Sequence, residues 1–134
     1  MRALIYSAAG YISGSILFAR VFGAVFKKDI IGQSRDGNPG TANAFMYGGF
    51  FCGLLTLLFE LLKGFLPVFL YLRKDFSLFN DWGIAFVLAA PVLGHAFPAF
   101  YRFHGGKCIA VSFGCLLGLL PAVIPVSILA FTFL

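Results

Sequence analysis

Residues 45–72 read FMYGGFFCGLLTLLFELLKGFLPVFLYL, and the only charged side chains in them are Glu60 and Lys63. A helix needs about 20 predominantly apolar residues to cross the hydrocarbon core of a bilayer, and this stretch exceeds that length. It shows none of the strict alternation that marks a barrel strand. Three further stretches behave the same way. Ala3 to Phe26 carries only Arg20, Gly83 to Tyr101 carries no formal charge, and Cys108 to Leu134 has no ionisable side chain beyond its cysteine thiols. The whole chain agrees, with 60% apolar residues, 11% charged residues and a mean hydropathy of +0.95. Soluble domains carry roughly 45–50% apolar and about 25% charged residues. Because every backbone N–H and C=O in lipid must be paired internally, such runs form helices. The expected fold is all-α, a polytopic transmembrane helical bundle of about four spans in a single membrane domain, residues 1–134. The spans are expected at 3–26, 45–72, 83–101 and 108–134. Pro121 and Pro125 leave the last one open between a broken helix and a re-entrant turn.

The loops give a topology. The first, Lys27 to Asn43, holds Lys27, Lys28 and Arg35, and the third holds Arg102 and Lys107. The second, Arg73 to Trp82, holds Arg73 and Lys74, and by parity it shares its face with Arg2. Five basic residues against three place the first and third loops in the cytoplasm. The net charge of +5 is scattered over loops and span ends, without a basic stripe. Nucleic-acid binding is therefore not supported. Cys52, Cys108 and Cys115 form no CxxC pair and read as small buried hydrophobes, with no metal, disulfide or cofactor implied. The first stretch is too long for a signal-peptide core and contains Arg20, so it reads as a span.

Two loop segments carry the candidate chemistry. Asp36-Gly37-Asn38-Pro39-Gly40-Thr41-Ala42-Asn43 has the glycines, proline and asparagines of a turn and sits just before the second span, where Thr41 or Asn43 could cap a helix. Gly105-Gly106-Lys107 sits just before the fourth span. Helix N-termini offer unpaired N–H groups and a positive dipole end, which suit phosphate. Parity puts both segments on one face, so a shared phosphate site with Lys107 as its cation is one reading. Ordinary cytoplasmic turns are the other, and GGK without the rest of the motif is no P-loop. Glu60 and Lys63, three residues apart on one helical face, read first as a self-neutralising pair. Pro67 frees the Lys63 carbonyl four residues earlier, so a kink is expected near Lys63-Gly64. His95 reads either as a histidine bonded to the backbone or as a site residue.

Gly94-His95-Ala96-Phe97-Pro98-Ala99-Phe100 followed by Phe103-His104-Gly105-Gly106-Lys107 resembles a GHxFPxF…F-x-GGKG signature. Gly37 to Asn43 resembles a GNxGATN loop, and Gly14-Ser15 and Glu60-Leu61-Leu62-Lys63-Gly64 resemble GS and D-x-x-KG segments. Their order and spacing over about residues 10 to 120 are similar to those of the bacterial acyl-phosphate-dependent glycerol-3-phosphate acyltransferases. The resemblance implies transfer of an acyl group from acyl phosphate to glycerol 3-phosphate at the membrane, giving lysophosphatidic acid. It implies membrane lipid and those two substrates as partners, in a bacterial plasma membrane, and it leaves the oligomeric state open. It also implies Lys107 as the catalytic cation, with His95 beside it, and Asn38, Gly40, Asn43, Gly105, Gly106 and Ser15 in phosphate or substrate binding.

Asp36, Met46 and Cys108 depart from the serine, arginine and glycine usual in that family. Its members also continue to a further cytosolic loop bearing arginine, histidine and asparagine. A truncated relative, or a site completed by another subunit, is the expectation. A catalytically incomplete protein that binds lipid or acyl phosphate is the alternative function, and a small transporter subunit a weaker one, because no polar stripe lines a path.

Overall fold

The computed structural model describes residues 1–73 and 82–119. The expected break at Pro121 and Pro125 and the loop charges Lys74, Asp75 and Asp81 lie outside the described residues. The described chain is all helical: α1 Arg2–Gly14, α2 Phe18–Val25, α3 Ile30–Gln33, α4 Thr41–Gly48, α5 Phe50–Leu72, α6 Gly83–Ala96, a 3-10 turn Ala99–Tyr101 and α7 Ile109–Leu117. Two of these helical stretches, Phe50–Leu72 and Gly83–Tyr101, are long and apolar enough to cross a membrane. The α1–α2 pair adds a third if its two parts, bent by 40° at their junction, form one span. α7 begins the fourth apolar stretch.

Two of the expected spans are broken, α4 begins at Thr41 and not at residue 45, and α6 ends at Ala96 ahead of the 3-10 turn. Residues 3–26 break at Ser15–Leu17, and residues 45–72 break at Gly49, whose φ of 88° ends α4 before α5 begins. Glycine adopts that angle without a Cβ penalty. Pro67 lies inside α5 without ending it. Its ring removes the hydrogen bond to the Lys63 carbonyl, and the Ser13 hydroxyl lies 3.2 Å from that oxygen. Because the same hydroxyl is 3.0 Å from Gly10 O, its one proton serves either acceptor.

Small residues bring the helices close. α1 packs on α6 and α5 packs on α7. Without a strong hydrophobic drive inside lipid, helices associate through such close packing. A Cβ at Gly14 would overlap the Pro91 carbonyl, one at Gly94 the Tyr11 carbonyl, and one at Gly114 the Leu61 carbonyl. At Gly10 a Cβ would meet side chains alone, the Pro91 ring at 3.1 Å and Ala90 Cβ at 3.5 Å. Gly14→Ala is therefore expected to cost about 1–3 kcal/mol of overpacking and Gly10→Ala clearly less. Unfolding titrations in detergent check this, and equal losses would refute the backbone-contact account.

Val68, Val87 and Val111, all fully buried, centre the core between α5, α6 and α7. Outside it, Leu4, Phe51 and Phe86 stand largely exposed. Exposed apolar surface of this kind marks a membrane or partner interface, and here Phe51 and Phe86 stand on the two helical stretches of spanning length.

Candidate functional site

The two glycine-rich segments touch. At φ 60° Gly37 reverses the chain, and the Asn38 N–H then donates back to Asp36 Oδ1 at 3.2 Å. The Asn43 amide donates to Asp36 Oδ1 and to Asn38 O, both at 2.8 Å. From the other segment, Lys107 Nζ donates to Asp36 Oδ2 at 2.8 Å, and its backbone N–H donates to Asn38 Oδ1 at 3.2 Å. Three donors thus converge on one carboxylate. The hydrogen bond from Lys107, then those from Asn43 and Asn38, hold the Asp36 carboxyl far below the usual carboxylate range. A depressed pKa keeps this tie at full strength above the ordinary value of about 3.9, and the tie weakens only as pH falls through the lower folded value. A carboxylate titration of Asp36 by NMR should stay flat from pH 7 to about 4; a midpoint near the ordinary value would contradict the geometry.

Behind this tie lies a cavity of about 620 Å³. One end is polar, lined by Asp36, Asn38, Asn43, His95 and Lys107, and the wall continues in Leu57 and Leu61 of α5 and Phe113 and Leu117 of α7. Gly40, Thr41, Ala42 and Asn43, the start of α4, also line it. No side chain caps α4, so its first-turn N–H groups have no partner within the helix. The expectation that Thr41 or Asn43 caps this helix is corrected here. Gly40 holds the cap position, Asn43 turns its amide back to Asp36 and Asn38, and the buried Thr41 hydroxyl has no hydrogen-bond partner.

Glu60, also a lining residue, belongs to a buried charge cluster. Glu60, Lys63 and His95 are 1%, 5% and 3% exposed. Lys63 Nζ stands 2.8 Å from Glu60 Oε2, and His95 Nδ1 stands 2.9 Å from the same oxygen. The cluster also caps the break between α1 and α2. Lys63 donates to Gly14 O at 3.0 Å and Ile16 O at 2.5 Å, and the Phe18 N–H donates to Glu60 Oε1 at 3.1 Å. A cation sits on the carbonyl end of one helix and an anion on the N–H end of the next, as helix dipoles favour. The pair does neutralise itself, but it also satisfies backbone that a broken span leaves open.

Of the sequence candidates, Lys107, His95, Asn38, Gly40 and Asn43 come together around the cavity. Ser15 does not: it is fully buried, its hydroxyl donating to Tyr11 O and accepting from the Ala99 N–H. Gly105 and Gly106 lie against the end of α6, where a Cβ on Gly105 would overlap the His95 and Ala96 carbonyls and the Gly106 N–H donates to His95 O at 3.1 Å. Glu60, Thr41 and the apolar wall were not among the site candidates. The i,i+3 charge pair in an apolar run was the signal for Glu60. Met46 is largely exposed on α4.

Cys108 precedes α7 with φ 63°, the left-handed region that costs a non-glycine residue about 1–2 kcal/mol. That angle is a physical reason for glycine at this position. Cys108→Gly is expected to change stability by less than about 1 kcal/mol, since relieved strain offsets glycine's larger unfolded entropy. Cys108→Val should lose more than that, because β-branched residues fit this region poorly. Melting in detergent compares the two, and a valine variant as stable as the glycine one would refute the strain.

Fold and site together define an integral membrane protein whose paired loops border a pocket with both polar and apolar lining. A glycerol-3-phosphate acyltransferase family model matches residues 4–134, and the chain belongs to that family. A glycerol-3-phosphate acyltransferase of Cupriavidus taiwanensis is 38% identical over 122 residues, covering 90% of this chain and 60% of the relative. One of Actinobacillus pleuropneumoniae serotype 5b is 40% identical over 110 residues, covering 82% and 53%. The crystal structure of PlsY (YgiH), an integral membrane glycerol 3-phosphate acyltransferase, in its glycerol 3-phosphate form superposes with a TM-score of 0.85 at 32% identity. That match covers 99% of this chain and 65% of PlsY. The lysophosphatidic acid form gives a TM-score of 0.78. The chain thus spans about 60% of the length of such relatives.

Proposed function

We propose that this chain forms the substrate-binding core of a bacterial plasma-membrane acyltransferase that moves an acyl group from acyl phosphate to glycerol 3-phosphate, giving lysophosphatidic acid, with its paired loops on the cytoplasmic side. The observation that carries this is a cavity with a polar end at Lys107, Asn38, Asn43 and the start of α4 and an apolar wall of Leu57, Leu61, Phe113 and Leu117. Acyl phosphate has that same division. The glycerol hydroxyl attacks the acyl carbonyl, negative charge grows on the carbonyl oxygen, and the phosphate departs with the bonding electrons and takes up the hydroxyl proton. Preorganised donors at the developing charge are usually the largest catalytic contribution. Lys107 and the first-turn N–H groups of α4 supply them. Family membership and the glycerol 3-phosphate and lysophosphatidic acid forms of PlsY support glycerol 3-phosphate as the acceptor and lysophosphatidic acid as the product.

Membranes bearing this chain should form lysophosphatidate from palmitoyl phosphate and glycerol 3-phosphate faster than membranes without it. Equal rates would end the acyltransferase reading for this chain. One observation favours a second reading, a binding protein without turnover: the Lys107 charge is already engaged by Asp36. That reading predicts saturable acyl-phosphate binding with no product.

A further inference from the structure

We propose that Lys63 is a positioning residue that holds His95 as its Nε2–H tautomer, so that the ring serves the cavity as a hydrogen-bond donor to phosphate oxygen and not as a general base. The donor role rests on the phosphate-site reading above. The tautomer rests on proton counting. An ammonium has three N–H groups, and three acceptors take them with directed geometry: Gly14 O at 3.0 Å, Ile16 O at 2.5 Å and His95 Nδ1 at 3.0 Å.

Glu60 Oε2 is the competing partner, because a ring N–H on Nδ1 would have to point at it. Close as it is to both nitrogens, that oxygen receives no directed hydrogen bond. It stands as the counter-charge beside Lys63, 2.8 Å away. Nδ1 is therefore the ring's lone-pair nitrogen, and the proton of neutral imidazole resides on Nε2.

The ring's other edge faces the glycine loop. A Cβ on Gly106 would stand 2.5 Å from His95 Nε2 and 3.0 Å from Asn38 Oδ1. Only a glycine leaves room there, between the imidazole edge and the amide that binds the Lys107 N–H. The Gly106 N–H in turn donates to the backbone oxygen of His95. Ring and loop are fixed to each other at the polar end of the cavity, where His95 is a lining residue. A neutral N–H placed there can stabilise an anion; it cannot accept the proton of an attacking hydroxyl. The physical design matches that of a preorganised donor, with its orientation set from the far side of the ring.

Two measurements on the purified chain in detergent test this. The first is a long-range ¹H–¹⁵N spectrum of the two histidines, assigned with His104→Asn. His95 should show a pyridine-type Nδ1 and a pyrrole-type Nε2, and the Lys63→Met/Glu60→Gln variant should lose that preference. A pyrrole-type Nδ1 in the native chain, or a variant whose tautomer is unchanged, would overturn the positioning role. The second is binding of inorganic phosphate. A glutamine amide can reproduce an Nε2–H donor, so His95→Gln should remain within about threefold of the native chain while His95→Ala weakens about tenfold, as expected for one hydrogen bond to a charged group. Glutamine as weak as alanine would overturn the donor role. A native chain that binds no phosphate would remove the phosphate reading and the donor role with it, leaving the spectrum to decide on Lys63 alone.

Discussion

Lys63→Met is expected to lower stability by about 3–5 kcal/mol, the range found when one partner of a buried ion pair is removed. Methionine preserves the length and apolar stem but withdraws the charge. Glu60 would then be left 1% exposed with no cation beside it, and the Gly14 and Ile16 carbonyls would lose their donor. Hydrogen bonds alone average less than 1 kcal/mol in one well-measured membrane bundle, so most of the loss comes from the stranded carboxylate. The second variant, Lys63→Met/Glu60→Gln, removes that stranded charge. It should recover part of the loss, giving a coupling energy of about 0.5–3 kcal/mol between the two sites. Reversible unfolding of the native chain, Lys63→Met, Glu60→Gln and the double variant in the same detergent measures the cycle. Additive losses would show that the two charges act independently, and the account of the α1–α2 break as capped by an ion pair would fall.

The apolar runs were legible because lipid removes most alternatives: 28 residues with two charges can hardly be anything but a helix. The breaks were harder to see. Ser15-Ile16-Leu17 carries neither glycine nor proline, and the chain departs from the helix there, where side chains 42 to 49 residues further on satisfy its backbone. Local sequence holds no trace of that. Gly49 follows Gly48 in a run where glycine is also common for packing, so its positive φ was not separable from its neighbour's role. At the site, Lys107, Asn38 and Asn43 could be placed together from loop parity and resemblance. The self-engagement of Lys107 with Asp36 was not visible, since a substituted carboxylate reads simply as repulsion toward phosphate. Thr41, like Asn43, is a cap candidate by residue type; its hydroxyl instead has no hydrogen-bond partner at the cavity rim.

Lys107→Ala is expected to lower lysophosphatidate formation by about 10²–10³-fold, the loss typical of removing one preorganised donor at developing charge. The effect has two sources. The substitution withdraws the cation from the polar end of the cavity, and it leaves Asp36 there without the partner that now neutralises it. The two are separable. Asp36→Asn alone frees Lys107 from its 2.8 Å bond and should tighten inorganic phosphate binding about tenfold, the change worth one charge-assisted hydrogen bond. Adding Asp36→Asn to Lys107→Ala should recover roughly that same factor by removing the stranded negative charge. Because the Lys107 side chain is 65% exposed, its effect on binding should shrink as ionic strength rises and the Debye length falls below about 10 Å. A phosphate affinity that Asp36→Asn leaves unchanged would mean that the carboxylate and the ligand do not share a site. If Asp36→Asn instead weakens binding, the carboxylate is part of the architecture that holds the loops together, and the native pair is a support for the site and not a competitor within it.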